Sequence, residues 1–207
     1  MMDFQHFITQ LEIMITNYLP GEESQQKMRV NYDQSIELPF SKNKAKPAAV
    51  LILLYPNNDK TYFYLTKRAD TVKYHKGQIS LPGGSKENNE TLLDTALRET
   101  QEEIGIDKNE ISILGKITPL FIPVTGFMIT PFVSYISKKP KTILDEIEVA
   151  ELLSVNIRDL LNNDILIMDR DINGSSVSIP YFSLNNHQVW GATSMVLSEL
   201  KDIIQLV

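Results

Sequence analysis

A short acidic helix between residues 84 and 106 constrains the fold more than any other feature. Apolar residues repeat at helical spacing through residues 90–104, and Gly105 follows, where glycine commonly ends a helix. Three carboxylates lie at positions i, i+3 and i+4 and therefore share one face: Glu99, Glu102 and Glu103. Like charges at this spacing weaken an isolated helix by about 0.2–0.5 kcal/mol per pair. The stripe indicates a bound hard divalent ion such as Mg²⁺, with a solvent-exposed acidic face as the alternative.

These carboxylates belong to a longer spaced pattern in the same stretch. Its fixed positions are Gly84, Glu90, Arg98-Glu99, Glu102-Glu103 and Gly105-Ile106. The pattern resembles the Nudix box, the signature of hydrolases that act on a nucleoside diphosphate linked to another moiety. Thr100 stands where that family prefers an aliphatic residue. The resemblance implies an α/β Nudix fold, an α/β/α sandwich with a mixed central sheet, in which the box forms a loop–helix–loop.

The resemblance also implies roles within the box. Mg²⁺ or Mn²⁺ would bind at the residues that are also the catalytic candidates: Glu99, Glu102 and Glu103. Glu90 and Arg98 match family residues that join the loop to the helix through an ion pair, which suits the bidentate guanidinium. Gly83, Gly84 and Gly105 are interpreted as backbone-geometry residues. Gly84 also lets the backbone come close to a phosphate or a metal ion.

A second motif lies immediately before the box. Its matching positions are Leu65, Thr66, Arg68, Ala69, Gly77 and Pro82-Gly83-Gly84. It resembles the additional motif of coenzyme A pyrophosphatases, a subfamily of Nudix hydrolases, and departs from it at Tyr64, Lys73 and Leu81. Cations beside a metal site suit a ligand that carries several phosphates. The predicted substrate-binding residues are Arg68, Lys73, His75, Gln78 and Gly84, with a solvated basic loop as the alternative.

A further carboxylate is expected after the box, where Nudix proteins often place a metal ligand or a general base. Glu151 is the favoured catalytic candidate. Its competitors are Asp145, Glu146 and Glu148. For each of these residues, the alternative is an ordinary exposed charge without a catalytic role.

The two motifs together predict a metal-dependent diphosphatase. The expected substrate is coenzyme A or acyl-coenzyme A, and the products are adenosine 3′,5′-bisphosphate and (acyl-)4′-phosphopantetheine. One alternative is a Nudix hydrolase of ADP-ribose, a dinucleotide or a nucleoside triphosphate. Another is a non-catalytic nucleotide-binding regulator that reuses the fold.

The composition excludes several classes of function. The net charge of −6 gives no general attraction for nucleic acid or anionic membranes. The 207 residues include no cysteine, which excludes disulfides, thiolate metal ligands and cysteine nucleophiles. No apolar run reaches the roughly 18 residues of a membrane span, and the first residues do not resemble a signal peptide. We predict a cytoplasmic protein without nucleic-acid or membrane partners.

Strand patterns surround the acidic helix. Residues 48–55 and 61–66 predict a hairpin, because the turn residues Asn57-Asn58-Asp59 separate them. Residues 164–168 and 177–182 predict a second pair joined by Asn173-Gly174. Other elements are predicted from periodicity: helices at 3–19 and 192–204, strands at 111–117 and 128–137, and a short helix at 157–161.

Residues 1–45 and 46–207 are predicted to differ in organisation. The first range reads as a helical extension followed by a polar connecting segment, and the second as the Nudix domain. The helix at residues 3–19 has an apolar face that has to be buried on the same domain or on a partner. A homodimer is therefore one expected arrangement.

Overall fold

The computed structural model describes residues 3–30, 39–71, 76–172 and 175–207. Its helices are α1 (Phe4–Asn17), α2 (Glu22–Gln26), α3 (Leu92–Ile104), α4 (Ile157–Leu161) and α5 (Gly191–Ile204). Its first strands are β1 (Lys46–Asn57), β2 (Lys60–Arg68), β3 (Ile79–Ser80), β4 (Gly83–Ser85) and β5 (Ser112–Lys116). The remaining strands are β6 (Leu120–Ile122), β7 (Phe127–Tyr135), β8 (Val149–Asn156), β9 (Leu166–Ile172), β10 (Ser175–Leu184) and β11 (His187–Trp190).

Strand β1 is the centre of a mixed sheet. It pairs antiparallel with β2 and β4 and parallel with β7. Strands β3 and β8 pair with β2, while β5 and β6 pair with β7, all antiparallel. Strands β9, β10 and β11 form a second, three-stranded sheet. The mixed central sheet confirms the predicted α/β fold class.

The central strand is buried on both faces, which explains its uninterrupted apolar sequence. Ile52 and Leu54 belong to a hydrophobic cluster that includes residues of α1 and α5. Leu51 and Leu53 belong to a second cluster that includes Ala96 and Ile104 of α3. Because side chains alternate along a strand, these two sets point to opposite faces of the sheet. Helices thus cover both faces, as in an α/β/α sandwich.

The hairpin of β1 and β2 follows the predicted turn. Asn57 pairs with Lys60, and the two residues between them have positive φ angles: 48° at Asn58 and 59° at Asp59. Asn and Asp tolerate this left-handed conformation better than other non-glycine residues. The turn sets the register of the hairpin and so places Arg68 at the far end of β2.

The short strands escaped prediction. Strands β6 and β11 have three and four residues, and β3 and β4 lie in a stretch that reads as loop. Runs this short carry too few residues for a periodic signal. The pair β9–β10 forms as predicted, but β9 begins at Leu166 instead of residue 164, and both strands continue closer to the turn than predicted. The predicted turn at Asn173-Gly174 lies outside the described residues.

The first helix packs against the chain's own core. Asp3 caps α1 by accepting a hydrogen bond from the Gln5 amide, and the buried residues of α1 are Ile8, Leu11 and Ile15. They belong to the same cluster as α5. This contact accounts for the apolar face within one copy of the chain. The domain boundary at residue 46 and the homodimer stay predictions.

The buried carboxylate of Glu199 fixes α2 to α5. Its Oε1 accepts hydrogen bonds from the amides of Gly21 (3.3 Å) and Thr118 (3.2 Å) and from the Thr118 hydroxyl (2.6 Å). Its Oε2 accepts one from Gln25 Nε2 at 2.8 Å. One side chain of the last helix therefore holds the N-terminal segment and the loop before β6 together. Across the described ranges, no helix is both long and apolar enough to span a bilayer.

Candidate active site

Helix α3 has defined ends, and these fix the acidic stripe. Thr91 Oγ1 accepts from the Asp94 amide at 3.1 Å, and the Asp94 carboxylate accepts from the Thr91 amide at 3.0 Å, a reciprocal capping box. Gly105 ends the helix with φ 71°, and a Cβ there would lie 2.7 Å from the Ile143 carbonyl oxygen. The capping box thus defines the start of the helix, and the close approach of Ile143 requires glycine at its end.

Arg98 joins the loop before α3 to the helix itself. Its Nε and Nη2 donate to the two carboxylate oxygens of Glu90, each at 3.1 Å, in a bidentate pair. Nη2 also donates to the Ser85 carbonyl at 3.3 Å. Hydrogen bonds from Arg98, the Glu87 amide and Thr95 hold the pKa of Glu90 down at about 2. The structure thus contains the ion pair that the resemblance implies, while its scaffold role stays a prediction.

Glu103 is the most buried member of the stripe. Its side chain is 2% exposed, and its Oε2 has no hydrogen-bond partner among the described residues. Arg68 Nη1 lies 3.9 Å from Glu103 Oε1. Burial, followed by repulsion from Glu99 and Glu148, raises the pKa of Glu103 to about 8, although Arg68 and the Gly83 amide act in the opposite direction. A buried carboxylate with an unpaired oxygen and acidic neighbours is an environment that a cation would stabilise.

Glu99 lies against the backbone of β4. A Cβ built on Gly84 would come within 2.4 Å of the Glu99 carboxylate, so any side chain at residue 84 would displace it. Partial burial raises the pKa of Glu99, and repulsion from Glu102 and Glu148 adds to this, while Arg98 lowers it. Glycine is therefore required at residue 84 for a steric reason, because a side chain there would move the Glu99 carboxylate.

The acidic stripe fits a divalent ion in part. In this arrangement Arg98 Nη1 contacts Glu99 at 2.9 Å and Glu102 at 2.8 Å. Within the described residues, no three acidic or histidine side chains form a metal-binding group. The unpaired Oε2 of Glu103 and the mutual repulsion of Glu99, Glu103 and Glu148 are the observations that favour a cation. Oxygen ligands of this kind suit Mg²⁺ or Mn²⁺.

Glu148 and Glu151, two candidates for the additional carboxylate expected after the box, have different surroundings in the structure. Glu148 is electrostatically coupled to both Glu99 and Glu103. Its backbone carbonyl accepts from the Ala69 amide at 2.8 Å, next to Arg68. Glu151, the favoured candidate from the sequence, contacts His187 at 3.3 Å instead. The charge of Glu148 therefore acts on the stripe, whereas the contact made by Glu151 is with His187.

A cleft of about 600 Å³ is lined on one side by β4, which packs against α3, and no residue of the acidic stripe is part of its lining. Arg68, Gln78 and Gly84, three of the five predicted substrate-binding residues, line it. Lys73 and His75, the other two, lie outside the described residues. Since Arg68 both lines the cleft and contacts Glu103, it connects the cleft to the acidic stripe.

Much of the cleft wall was not predicted from the sequence. It is mainly apolar and includes residues from β6 to β7 and from α5, among them Phe121, Val124, Met195 and Val196. Helix α2 adds Gln25 and Gln26. These residues are scattered along the chain and share no spacing, so no local pattern identifies them. Trp190, at the end of β11, also lines the cleft.

The mixed α/β fold and the carboxylate-rich box on α3 are features of hydrolases of phosphoanhydrides. A model of the NUDIX domain matches residues 45–165, more than half of the chain. The chain belongs to the Nudix family, hydrolases of nucleoside diphosphate derivatives that generally use divalent metal ions. The predicted family and enzyme class are thereby confirmed.

Individual relatives agree with the family model. The uncharacterized Nudix hydrolase NudL of Photorhabdus laumondii is 27% identical over 161 residues, which cover 77% of this chain and 85% of that protein. NudL of Pectobacterium atrosepticum is 30% identical over 162 residues, covering 76% and 82%. The crystal structure of the M. smegmatis Nudix hydrolase RenU superposes with a TM-score of 0.56 at 17% identity, covering 78% of this chain and 87% of that one. That likeness supports the fold.

Proposed function

We propose that the protein hydrolyses the diphosphate bond of coenzyme A or acyl-coenzyme A. The observation that carries the proposal is the position of Arg68, which lines the apolar cleft and contacts the buried Glu103. Arg68 also belongs to the motif that resembles coenzyme A pyrophosphatases. A substrate that fills the cleft would therefore bring its diphosphate between a guanidinium and the acidic stripe.

The cleft has the chemistry that such a substrate requires. A largely apolar wall accommodates an adenine ring or an aliphatic pantetheine or acyl chain. The guanidinium of Arg68 binds phosphate oxygens in a bidentate manner. The net charge of −6 repels polyanions from the rest of the surface, so phosphate binding has to be local.

The chain's own residues divide the reaction between them. Glu99, Glu102 and Glu103 would hold Mg²⁺ or Mn²⁺, which would supply positive charge to neutralise the phosphate oxygens and to activate water. Glu148 is the proposed proton acceptor for the attacking water. Arg68 orients the diphosphate. Water adds to one phosphorus, the bridging P–O bond breaks, and the products are adenosine 3′,5′-bisphosphate and (acyl-)4′-phosphopantetheine.

Purified protein with Mg²⁺ or Mn²⁺ is expected to convert coenzyme A into those two products, and chromatography with mass spectrometry measures them. Reaction in ¹⁸O-water shows which phosphorus is attacked, because that product alone gains the label. A Glu103→Gln sample purified in parallel controls for contaminating hydrolases. Folded protein that leaves coenzyme A intact but hydrolyses another nucleoside diphosphate derivative would exclude the coenzyme A assignment. Tight binding without hydrolysis of any such compound would support a regulator.

Glu148→Gln is expected to lower kcat by about 10²-fold, since a positioned general base contributes roughly that much or more. Glu151→Gln should change kcat by less than about threefold, because Glu151 contacts His187 and not the stripe. Steady-state kinetics on the best substrate compare the two. The reverse order of effects would restore Glu151 as the catalytic carboxylate.

A further inference from the structure

A second, polar pocket of about 250 Å³ adjoins the cleft. Lys76, Arg170 and His187 contribute basic groups to its wall. Gln78 and Trp190 line both the pocket and the cleft, so the two share a wall. The residues come from β9, β11 and the loop before β3, which are distant in the sequence.

The pocket concentrates positive charge in an acidic protein. The guanidinium of Arg170 lies 5.1 Å from the centre of the Trp190 ring, which restricts its orientation. Glu151 contacts His187 at 3.3 Å and offsets part of the charge, but the two permanent cations Lys76 and Arg170 outnumber that one carboxylate. Side chains alternate along β9, so the flanking Asp169 and Asp171 point away from the face of Arg170.

The pocket keeps a fixed position relative to the cleft. Strand β11 runs beside β3. The Thr193 hydroxyl, at the start of α5, donates to the Ile79 carbonyl at 3.2 Å. Ile79 also lines both cavities. A ligand that occupies the cleft therefore has this basic pocket at a constant distance from its diphosphate.

We propose that the pocket binds a phosphate monoester carried by the nucleoside half of the substrate. The inference rests on the proposed function, because it places the diphosphate beside Arg68 and Glu103. Arg170 supplies a planar guanidinium fork and Lys76 a point charge, the two cationic groups that bind terminal phosphates. The pocket thereby selects substrates with this additional phosphate over those with the diphosphate alone.

Arg170→Gln and Lys76→Gln are expected to raise the KM for coenzyme A about tenfold or more each, the effect of losing one charge-assisted hydrogen bond, with kcat unchanged. Their KM for dephospho-coenzyme A, which lacks the monoester, should not change. Arg158→Gln, which removes an exposed arginine on α4, is the matched control. Equal losses on both substrates, or no loss on either, would overturn the proposal.

Direct binding separates this inference from the proposed function. Calorimetry on the wild-type protein should show tighter binding of adenosine 3′,5′-bisphosphate than of 5′-AMP, and Arg170→Gln should abolish the difference. This pattern in a protein that does not hydrolyse coenzyme A would keep the pocket and reject the proposed substrate. Identical affinities of wild-type protein for the two nucleotides would reject the pocket, even if coenzyme A is hydrolysed.

Discussion

Glu103→Gln is expected to reduce kcat by about 10³-fold, a loss at the upper end for one electrostatic group in an active site. The amide keeps the volume of the side chain but removes the charge that would hold the metal ion. Steady-state kinetics on coenzyme A, or on the best nucleoside diphosphate derivative found, measure the loss. Glu110→Gln, which changes an exposed carboxylate outside the site, is the control. Turnover within about threefold of wild type would show that Glu103 holds no catalytic ion.

The same substitution is expected to stabilise the metal-free fold at high pH. The folded-state pKa of Glu103 is about 8, above its ordinary value of 4.5. Below pH 4.5 the Glu103 carboxyl group is protonated in both the folded and the unfolded state. Between pH 4.5 and about 8 only the folded state keeps this proton. Stability is therefore lost as the pH rises from 4.5 through about 8. Glu103→Gln should remove this loss and raise Tm at pH 9 by at least about 2–4 °C, with little change at pH 4.5.

Metal ions should make the wild-type protein more stable than Glu103→Gln at high pH. Because metal binding releases the proton of Glu103, added Mg²⁺ or Mn²⁺ is expected to raise the Tm of the wild-type protein, more at pH 8 than at pH 6. Glu103→Gln should show a much smaller rise. Thermal melts with and without chelator make the comparison. An equal metal response in both proteins would place the ion elsewhere.

Local sequence predicted the elements whose signals are complete within a few residues. Helix α3 has its caps at Thr91 and Gly105, and the hairpin turn has its positive-φ residues at Asn58 and Asp59. The stripe on α3 follows from helical periodicity alone. These features depend on neighbours in the chain, so one sequence contains all the information that they require.

The rest of the site depends on contacts between distant segments. The register of β2 and β8 sets Arg68 opposite Val149, and this brings the neighbouring Glu148 to the stripe while Glu151 pairs with Lys67. A register irregularity lies between Lys67 and Arg68, and no local pattern encodes it. The basic pocket likewise needs β9 and β11 to meet the loop before β3. Spacing therefore identified the reaction class but left several candidates for the additional carboxylate, among them Glu148 and Glu151.

Glu199→Ala is expected to destabilise the fold by about 3–5 kcal/mol, since it leaves several buried donors without their acceptor. In a chain of this size that lowers Tm by roughly 10 °C. Glu199→Gln should cost less, because its amide oxygen can replace the carboxylate oxygen that accepts from Gly21 and Thr118. The remaining cost comes from its NH₂ group, which would face the Nε2 donor of Gln25. Glu12→Ala, an exposed mid-helix carboxylate on α1, is the matched control. Denaturant or thermal unfolding measures all three.

The loss at Glu199 is expected to extend to the cleft. Glu199 holds Gln25 and Thr118, and both Gln25 and Pro119, the neighbour of Thr118, line the cleft wall. Releasing them should raise KM at temperatures where the variant is still folded, while kcat changes less because α3 is untouched. A Glu199→Ala protein with wild-type Tm would show that the N-terminal segment is held by other contacts. Reduced stability with unchanged KM would show that α2 stabilises the fold without shaping the cleft.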